Sequence, residues 1–293
     1  MALIRDLLKN GKTYSFEFFP PKNEVEQANL IKTLRDLEPL NPSFVSVTYR
    51  NGRISRQRTH NLVAGIRQTT DITPMAHLIC VDHSRLELAE ILVELRKASV
   101  ENLMALAGDP PKSDQVEGEL KYAIELVKLA QSIGGFSVGV AAHTAGHPES
   151  PDLSSDRYYL KEKLEYADFA ITQMFFDVSS YYRLRDEMGV LGSDKPIIPG
   201  IMPIGSYRSI KSMISMGADI PQKIVDSFEE ALEKVDDPIE KDRIAQKMGI
   251  EAAVSMCEDL IENNAPGLHF YTLNKSNLTR EIYTSLGLGN SPA

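Results

Sequence analysis

The sequence predicts an α/β fold in which a single domain over residues 1–293 forms a (βα)8 TIM barrel. Eight short β-rich runs alternate with amphipathic helical patterns, which is typical of parallel βα units. No tract rich in Ser, Gly and Pro, and no long run of like charges, divides the chain. A doubly wound sheet is the alternative. Against it, the chain has neither a Gly-x-Gly-x-x-Gly loop after the first run nor a Gly-x-x-x-x-Gly-Lys-Ser/Thr loop.

The predicted strands are the runs richest in β-branched, aromatic and other apolar residues. We place them at residues 14–18, 43–48, 75–80, 101–107, 137–142, 168–176, 196–201 and 267–272. Between strands, leucines recur at helical spacing, as at Leu30, Leu34 and Leu37. Ser84 and Glu87 have the spacing of a helix capping box. The longer segment before the last strand has helical patterns near residues 206–215, 221–234 and 238–262.

Composition narrows the class of partner. A formal net charge of -9 argues against a nucleic-acid partner, because nucleic-acid binding needs a basic face. No apolar window is long enough for a membrane span, and the first residues lack the pattern of a secretory signal. Cys80 and Cys257 lie far apart in the sequence and in apolar surroundings. This pattern suits two buried thiols in a reducing compartment better than a disulfide or a zinc site. We expect a cytoplasmic protein, a monomer or small homo-oligomer, that acts on a small molecule.

Polar residues stand at the end of nearly every predicted strand. In a (βα)8 barrel the active site lies at the C-terminal strand ends. Any one of these residues can be a hydrogen-bonded structural group, but convergence of several on one rim favours a functional site. The set is Glu17, Thr48, Tyr49, His77, Asp109, His143, Gln173, Tyr271 and Asn274.

Glu17 is the unusual member of this set. It stands in an aromatic run between Phe16, Phe18 and Phe19, and two prolines follow. A carboxylate with poor access to water either has a partner or is disfavoured in its charged form. The second case is the usual situation of a general acid. We therefore predict that the aromatic surroundings keep Glu17 protonated near neutral pH.

Two loops after predicted strands allow alternative interpretations. In Gly108-Asp109-Pro110-Pro111, glycine permits close approach to a ligand and the prolines hold the carboxylate in place, but the same residues suit a rigid surface turn. His143 and His147, near Glu149, have a spacing that zinc ligands use on helices. Because Thr-Ala-Gly between them and a following proline indicate a loop, we predict no metal.

Taken together, the strand ends resemble the methylenetetrahydrofolate reductase family, in family order and over about residues 3 to 287. The matching motifs are Ser-Phe-Glu-Phe-Phe-Pro-Pro (15–21), Phe-Val-Ser-Val-Thr-Tyr (44–49), Ala-His-Leu (76–78), Gly-Asp-Pro-Pro (108–111), Gly-His-Pro-Glu (146–149), Ala-Ile-Thr-Gln (170–173), Pro-Gly-Ile-Met-Pro (199–203) and His-Phe-Tyr-Thr-Leu-Asn (269–274).

The resemblance implies reduction of 5,10-methylenetetrahydrofolate to 5-methyltetrahydrofolate by NADH or NADPH. It implies that Glu17 is the general acid and that Asp109, near the pterin, is also catalytic. The implied substrate-binding residues are Gln173, Tyr207, Tyr271 and Lys275. The implied cofactor-binding residues are Thr48, His77, His143, His147 and Gln173.

The departures from the family pattern concern FAD, which the family usually binds. Ala107 stands where the family carries arginine, and Arg50 replaces a loop glycine. In the helix after the fifth strand, which in the family usually carries basic residues for the FAD diphosphate, Glu162 stands where a cation is expected. The loop at residues 112–119 also looks shortened. Loss of charge-assisted phosphate contacts predicts that FAD is bound weakly or not at all, with hydride passing directly from NAD(P)H. Reduction through bound FAD, a non-catalytic folate- or flavin-binding barrel, and a barrel lyase or aldolase stay open.

Overall fold

The computed structural model describes residues 2–49, 53–109, 118–215, 218 and 220–288. Within these ranges nine parallel strands form one sheet, in the order β7-β6-β5-β4-β3-β2-β1-β9-β8. The strands are β1 (Thr13–Phe18), β2 (Phe44–Val47), β3 (Pro74–Ile79), β4 (Asn102–Leu106), β5 (Ser137–Ala142), β6 (Phe169–Thr172), β7 (Ile197–Ile198), β8 (Gly200–Ile201) and β9 (Gly267–Tyr271).

The two ends of this order meet at Pro199. β7 pairs with β6 and β8 pairs with β9, and only Pro199 separates β7 from β8. Proline has no N–H to donate to a strand ladder, so the seventh barrel strand is broken there, while the Pro199 carbonyl still accepts a bond from His269 N at 3.0 Å. The sheet therefore closes as the predicted (βα)8 barrel.

The helices occupy the intervals between strands. They are α1 (Ile4–Asn10), α2 (Glu24–Leu37), α3 (Arg53–Thr69), α4 (Arg85–Lys97), α5 (Ala123–Ile133), α6 (Leu153–Tyr166), α7 (Val178–Val190), α8 (Tyr207–Ser215), α9 (Gln222–Leu232), α10 (Pro238–Glu262) and α11 (Asn277–Ser285). The predicted capping box of α4 is present, with Ser84 and Glu87 each binding the other's backbone N–H. α10 has the predicted bounds, and α8 and α9 differ from the predicted ones by no more than two residues at either end.

Three features of the fold differ from the sequence prediction, and the first is the break of the predicted strand 196–201 at Pro199. β6 ends at Thr172, so the predicted strand at 168–176 is too long, because the side chain of Gln173 binds Met174 N at 2.9 Å and Asp177 caps α7. The short helix α1 was not predicted, since it buries only Ile4 and has little periodicity. Ile4 packs inside the barrel, and its N–H donates to Asn102 Oδ1 at 2.8 Å.

Three hydrophobic clusters hold these elements together. The largest fills the layer between strands and helices, and it includes Phe16 and Phe18. A second lies inside the barrel around Phe44 and Phe169. The third is built by the long segment before β9, with Met202 and Phe228 among its buried members. No helix in the described part of the chain has the length and apolar character needed to cross a membrane.

Candidate active site

Glu17 points into the barrel. β1 lies between β2 and β9, and the register places Glu17 beside Ser46 and Tyr271. Because successive side chains of a strand alternate between its faces, Phe16 and Phe18 point the other way and pack in the layer under the helices. The prediction that aromatic side chains surround Glu17 is therefore wrong, and its neighbours inside the barrel are polar.

Three side chains from three strands lie within 3.3 Å of one oxygen of Glu17. Glu17 Oε2 accepts from Ser46 Oγ at 3.3 Å and lies 3.3 Å from His269 Nε2. His77 Nε2 is also 3.3 Å away, but without hydrogen-bond geometry. We call these four residues the Glu17 cluster. Glu17 Oε1 makes no hydrogen bond to any described residue, and 12% of the Glu17 side chain is exposed.

The pKa of Glu17 follows from these neighbours. Burial alone would raise it, but the electrostatic effect of His77 and the hydrogen bonds from His269 and Ser46 outweigh burial, so the pKa of Glu17 is lowered. Burial also lowers the pKa of His77, against a smaller opposing effect of Glu17. This direction is opposite to the predicted protonation of Glu17 near neutral pH, which relied on the effect of burial alone. Imidazole and hydroxyl groups from other strands, not the phenyl rings of Phe16 and Phe18, lower this pKa.

Tyr271 closes one side of the Glu17 cluster. Its hydroxyl donates to the Thr172 carbonyl at 2.6 Å, and its ring meets the ring of His269 edge to face at 5.4 Å. Burial, with a further effect of Glu17, raises the pKa of Tyr271 well above its usual range. A Cβ at Gly200 would lie 2.4 Å from the Thr172 carbonyl oxygen and 2.7 Å from the Tyr271 hydroxyl. Only glycine at position 200 allows Tyr271 this place.

Thr48 contributes a further polar atom at the C-terminal end of β2. Its N–H donates to the Phe18 carbonyl at 2.9 Å, which ties the end of β2 to β1. Its hydroxyl is buried and has no hydrogen-bond partner among the described residues. A buried hydroxyl without a partner costs free energy, so its presence beside a site favours a ligand contact.

A second polar group surrounds the loop after β5. The rings of His143 and His147 meet edge to face at 4.8 Å. Arg157 on α6 donates to the His143 carbonyl at 2.9 Å and pairs with Asp156 at 2.8 Å, and Lys163 donates to the Ala141 carbonyl at 3.0 Å. We call His143, His147, Asp156, Arg157 and Lys163 the α6 cluster.

The basic side chains of the α6 cluster are already bonded to other groups of the protein or are neutral. Arg157 is 3% exposed and also pairs with Glu187 at 2.7 Å. Burial lowers the pKa of His143 to about 4, with His147 adding to the effect, so its ring is neutral at physiological pH. Burial lowers the pKa of Lys163, against an opposing effect of Asp156. Within the described ranges, no three His, Cys, Asp or Glu side chains group as metal ligands.

Four other predicted site residues are not part of the Glu17 cluster. Asp109, Gln173 and Lys275 are exposed at or near the C-terminal ends of β4, β6 and β9. The side-chain carbonyl of Gln173 accepts a hydrogen bond from Met174 N. The hydroxyl of Tyr207 donates to Glu229 Oε1 at 2.5 Å. None of these four predicted residues forms a hydrogen bond or ion pair with the cluster in the described structure.

Several predicted features turn out to be structural or lie outside the described residues. Asn274 clamps the Phe19 backbone, accepting from its N–H at 2.8 Å and donating to its carbonyl at 2.9 Å. Arg50, Pro110, Pro111 and residues 112–117 of the supposedly shortened loop lie outside the described residues. Cys80 and Cys257 are free and buried, as predicted.

Sequence reasoning missed His269, Ser15 and Ser46 as parts of the site. His269 and Ser15 each stand two residues before a predicted site residue, Tyr271 and Glu17, and so share a face with it. That spacing, in otherwise apolar strands, is the signal that could have found them. Ser46 had the weaker signal, since it is the only polar residue within β2.

A cavity of about 940 Å³ lies elsewhere, between α6 and α7. Its lining includes Leu153, Tyr158, Tyr182 and Val190, all outside the barrel strands. None of the Glu17 cluster lines it. We place the site at the strand ends because that is where ionisable side chains from several strands converge.

A (βα)8 barrel that gathers a carboxylate and two imidazoles from different strands on its inner wall has the architecture of a barrel enzyme. The family model described as methylenetetrahydrofolate reductase matches residues 3–287. The chain belongs to this family and is an oxidoreductase.

Known relatives cover nearly the whole chain. A 5,10-methylenetetrahydrofolate reductase of Buchnera aphidicola is 37% identical over 283 residues, 96% of this chain and 94% of that protein. A protein of the same name from Pectobacterium carotovorum is 35% identical over 277 residues, 94% of this chain and 90% of its own length.

Among solved structures, a protein of Clostridium thermocellum described as binding two copies of 5-methyl-5,6,7,8-tetrahydrofolic acid matches with a TM-score of 0.64. The match covers 98% of this chain and 99% of that one. At 13% sequence identity, it supports the fold alone.

Proposed function

We propose that this enzyme reduces 5,10-methylenetetrahydrofolate to 5-methyltetrahydrofolate by direct hydride transfer from NADH or NADPH, with Glu17 as the general acid. The observation that carries the proposal is the arrangement of Glu17, whose Oε2 is held by Ser46, His77 and His269 while Oε1 is left for the substrate. Membership of the family supports the overall reaction.

The chemistry needs an acid at this point. A hydride adds only to an electron-poor carbon, and the methylene carbon becomes one when the bridge opens to an iminium ion. A proton from Glu17 Oε1 goes to the leaving nitrogen, the carbon–nitrogen bond breaks with its electron pair staying on that nitrogen, and the hydride then reduces the iminium carbon. Because Glu17 is fixed through its other oxygen, it can supply the proton without first changing its position.

Glu17 must be protonated to act, although its neighbours lower its pKa in the free protein. A bound pterin would cover Oε1 and remove its water. Since loss of water disfavours the charged carboxylate, the pKa of Glu17 rises in the complex. We expect the alkaline limb of kcat, which reports the complex, at higher pH than the alkaline limb of kcat/KM, which reports the free enzyme. Coincident limbs would remove this explanation.

The residues around α6 do not fit the diphosphate of FAD. A diphosphate needs charge-assisted donors or a free helix N-terminus. Arg157 is buried in ion pairs, Lys163 donates to a backbone carbonyl, and the ring of His143 is neutral. The N-terminus of α6 is capped by the carboxylate of Asp152, which accepts from Ser155 N at 2.7 Å.

This misfit favours direct transfer over the flavin route. We further propose that Thr48, His77, His143, His147 and Gln173 contact the nicotinamide cofactor, and that Asp109, Gln173, Tyr207, Tyr271 and Lys275 contact the folate. Asp109, Gln173, Tyr271 and Lys275 all lie at C-terminal strand ends or in the loops that follow, which supports their assignment to one rim. The free, buried cysteines fit a cytoplasmic enzyme.

The visible spectrum of the purified, dialysed protein tests the cofactor, and an assay of the same sample tests the reaction. We expect no flavin band, and NADH or NADPH oxidation that requires methylenetetrahydrofolate. Initial rates should fit a sequential mechanism, because hydride passes within one ternary complex. A stoichiometric flavin band with ping-pong kinetics would establish the FAD route instead. Folate binding without turnover would indicate a non-catalytic barrel.

A further inference from the structure

Ser15 and His269 form a buried pair directly beneath Glu17. The register of β1 and β9 places them opposite each other, and Ser15 Oγ lies 2.8 Å from His269 Nδ1. Both residues are 0% exposed. The ring is held on two sides, stacked on Phe44 at 6.0 Å and edge to face with Tyr271 at 5.4 Å. His269 therefore has one orientation, with Nε2 toward Glu17 Oε2 at 3.3 Å.

A proton on His269 Nε2 lets the ring donate to the Glu17 carboxylate, which can only accept. Nδ1 then carries a lone pair, and the Ser15 hydroxyl, 2.8 Å away, donates to it in preference to the Leu268 carbonyl at 3.4 Å. When Ser15 donates to Nδ1, the proton of a neutral imidazole is on Nε2, which then donates to the Glu17 carboxylate. The other tautomer would set two lone pairs against each other.

On the basis of the proposed function, we propose that His269, its tautomer fixed by its contacts with Glu17 and Ser15, is a positioning residue that holds Glu17 Oε2 so that Oε1 faces the reacting nitrogen. His269 does not touch the substrate, because it is completely buried. Its effect passes through Glu17. Of the two imidazoles near this oxygen, His269 has hydrogen-bond geometry and His77 does not.

The groups that face Glu17 come from four strands. Ser46 lies on β2, His77 on β3, and His269 and Tyr271 on β9, while Ser15 shares β1 with it. The hydrogen bond from His269 lowers the pKa of Glu17. Weakening that bond therefore raises the pKa, and the alkaline limb of activity moves to higher pH.

The test compares three substitutions with one matched control in the full-length protein. Ser15→Ala removes the partner of Nδ1, His269→Leu removes the ring, and His269→Gln keeps an N–H donor. The control is Thr13→Val, on the same face of β1, where the native hydroxyl is buried and has no hydrogen-bond partner among the described residues. This control removes a buried hydroxyl without touching the pair.

We expect Ser15→Ala to lower kcat by about 10- to 100-fold with little change in KM, because misplacing a reacting group by a fraction of an ångström costs rate and not binding. His269→Leu should lose more, and His269→Gln should recover part of the loss. Thr13→Val should match the wild type. Equal kcat in Ser15→Ala and Thr13→Val, with unshifted pH limbs, would overturn the proposal.

A second measurement does not depend on turnover. In protein labelled with ¹³C at the glutamate carboxyl, the Glu17 signal is the one lost in Glu17→Gln, and its titration gives the pKa directly. We expect a higher pKa in Ser15→Ala and His269→Leu than in the wild type and Thr13→Val. An unchanged pKa overturns the positioning role whatever the activity. A shifted pKa in a protein without reductase activity would reject the proposed function and leave the positioning role intact.

Discussion

The Glu17 cluster and the α6 cluster lie on opposite arcs of the same rim and use their polar groups in opposite ways. In the Glu17 cluster, Ser46, His77 and His269 all converge on Oε2, and no described residue forms a hydrogen bond with Oε1. In the α6 cluster, the guanidinium of Arg157 binds two carboxylates and two backbone carbonyls. Its positive charge is therefore already paired within the protein.

This difference shows that polar residues at a barrel rim can have either a binding role or a structural role. A group with an unsatisfied atom can bind and react, whereas Arg157 and Asp156, which bind each other and the backbone of the loop after β5, hold that loop in place. The following experiments test whether the two clusters divide in this way.

The largest effect should come from Glu17→Gln. The amide keeps the shape of the side chain but has no proton to give, so kcat should fall by about 10²- to 10⁴-fold. Steady-state assay with methylenetetrahydrofolate measures the loss. Glu24→Gln, an exposed change on α2, is the control and should keep full activity. Near-normal turnover of Glu17→Gln would remove Glu17 from the role of acid.

Arg157→Leu should lower the free energy of unfolding. It leaves the buried carboxylate of Asp156 without its cation, and removing one partner of a buried pair costs about 3–5 kcal/mol. Urea unfolding measures the change. Arg243→Ala, which breaks an exposed pair with Glu240 on α10, should leave the urea midpoint unresolved from the wild type. If Arg157→Leu instead keeps its stability and loses cofactor affinity, the α6 cluster is a binding site.

Gly200→Ala tests the packing beside the Glu17 cluster. The new methyl would overlap the Thr172 carbonyl and the ring of Tyr271, and such overpacking costs about 1–3 kcal/mol. Because Tyr271 must shift, activity should fall as well. Gly189→Ala on α7, where a Cβ meets nothing within 4 Å, is the matched control and should be neutral or stabilising. An unchanged Gly200→Ala would contradict the described position of Tyr271.

The smallest effect should come from His143→Asn in the α6 cluster. The pKa of His143 is lowered from 6.5 to about 4, so the unfolded chain binds a proton that the folded one does not. Stability therefore falls as pH drops from 6.5 to about 4, and His143→Asn should flatten this part of the profile. Urea unfolding at several pH values measures it. A profile as steep as that of the wild type would show that His143 is protonated in the folded protein.

Much of the fold could be predicted from local patterns. The strand at residues 137–142 and the helix at 238–262 were predicted with the bounds that the structure has, because period-2 and period-3.6 patterns need only neighbouring residues. The sixth strand was predicted too long, because a side-chain bond from Gln173 competes with the ladder and no pattern reveals that. The break at Pro199 was not predicted either, although proline within a run allows it.

The sequence by itself determined the barrel and placed Glu17 on its inner rim, because periodicity and strand order are properties of the chain. Only the tertiary structure decided which side chains contact Glu17. Phe16 and Phe18 are its neighbours in sequence but lie on the opposite face, while Ser46, His77 and His269 reach it across 29, 60 and 252 residues. A carboxyl pKa depends on charges and donors within a few ångströms, and in a closed barrel those come from other strands.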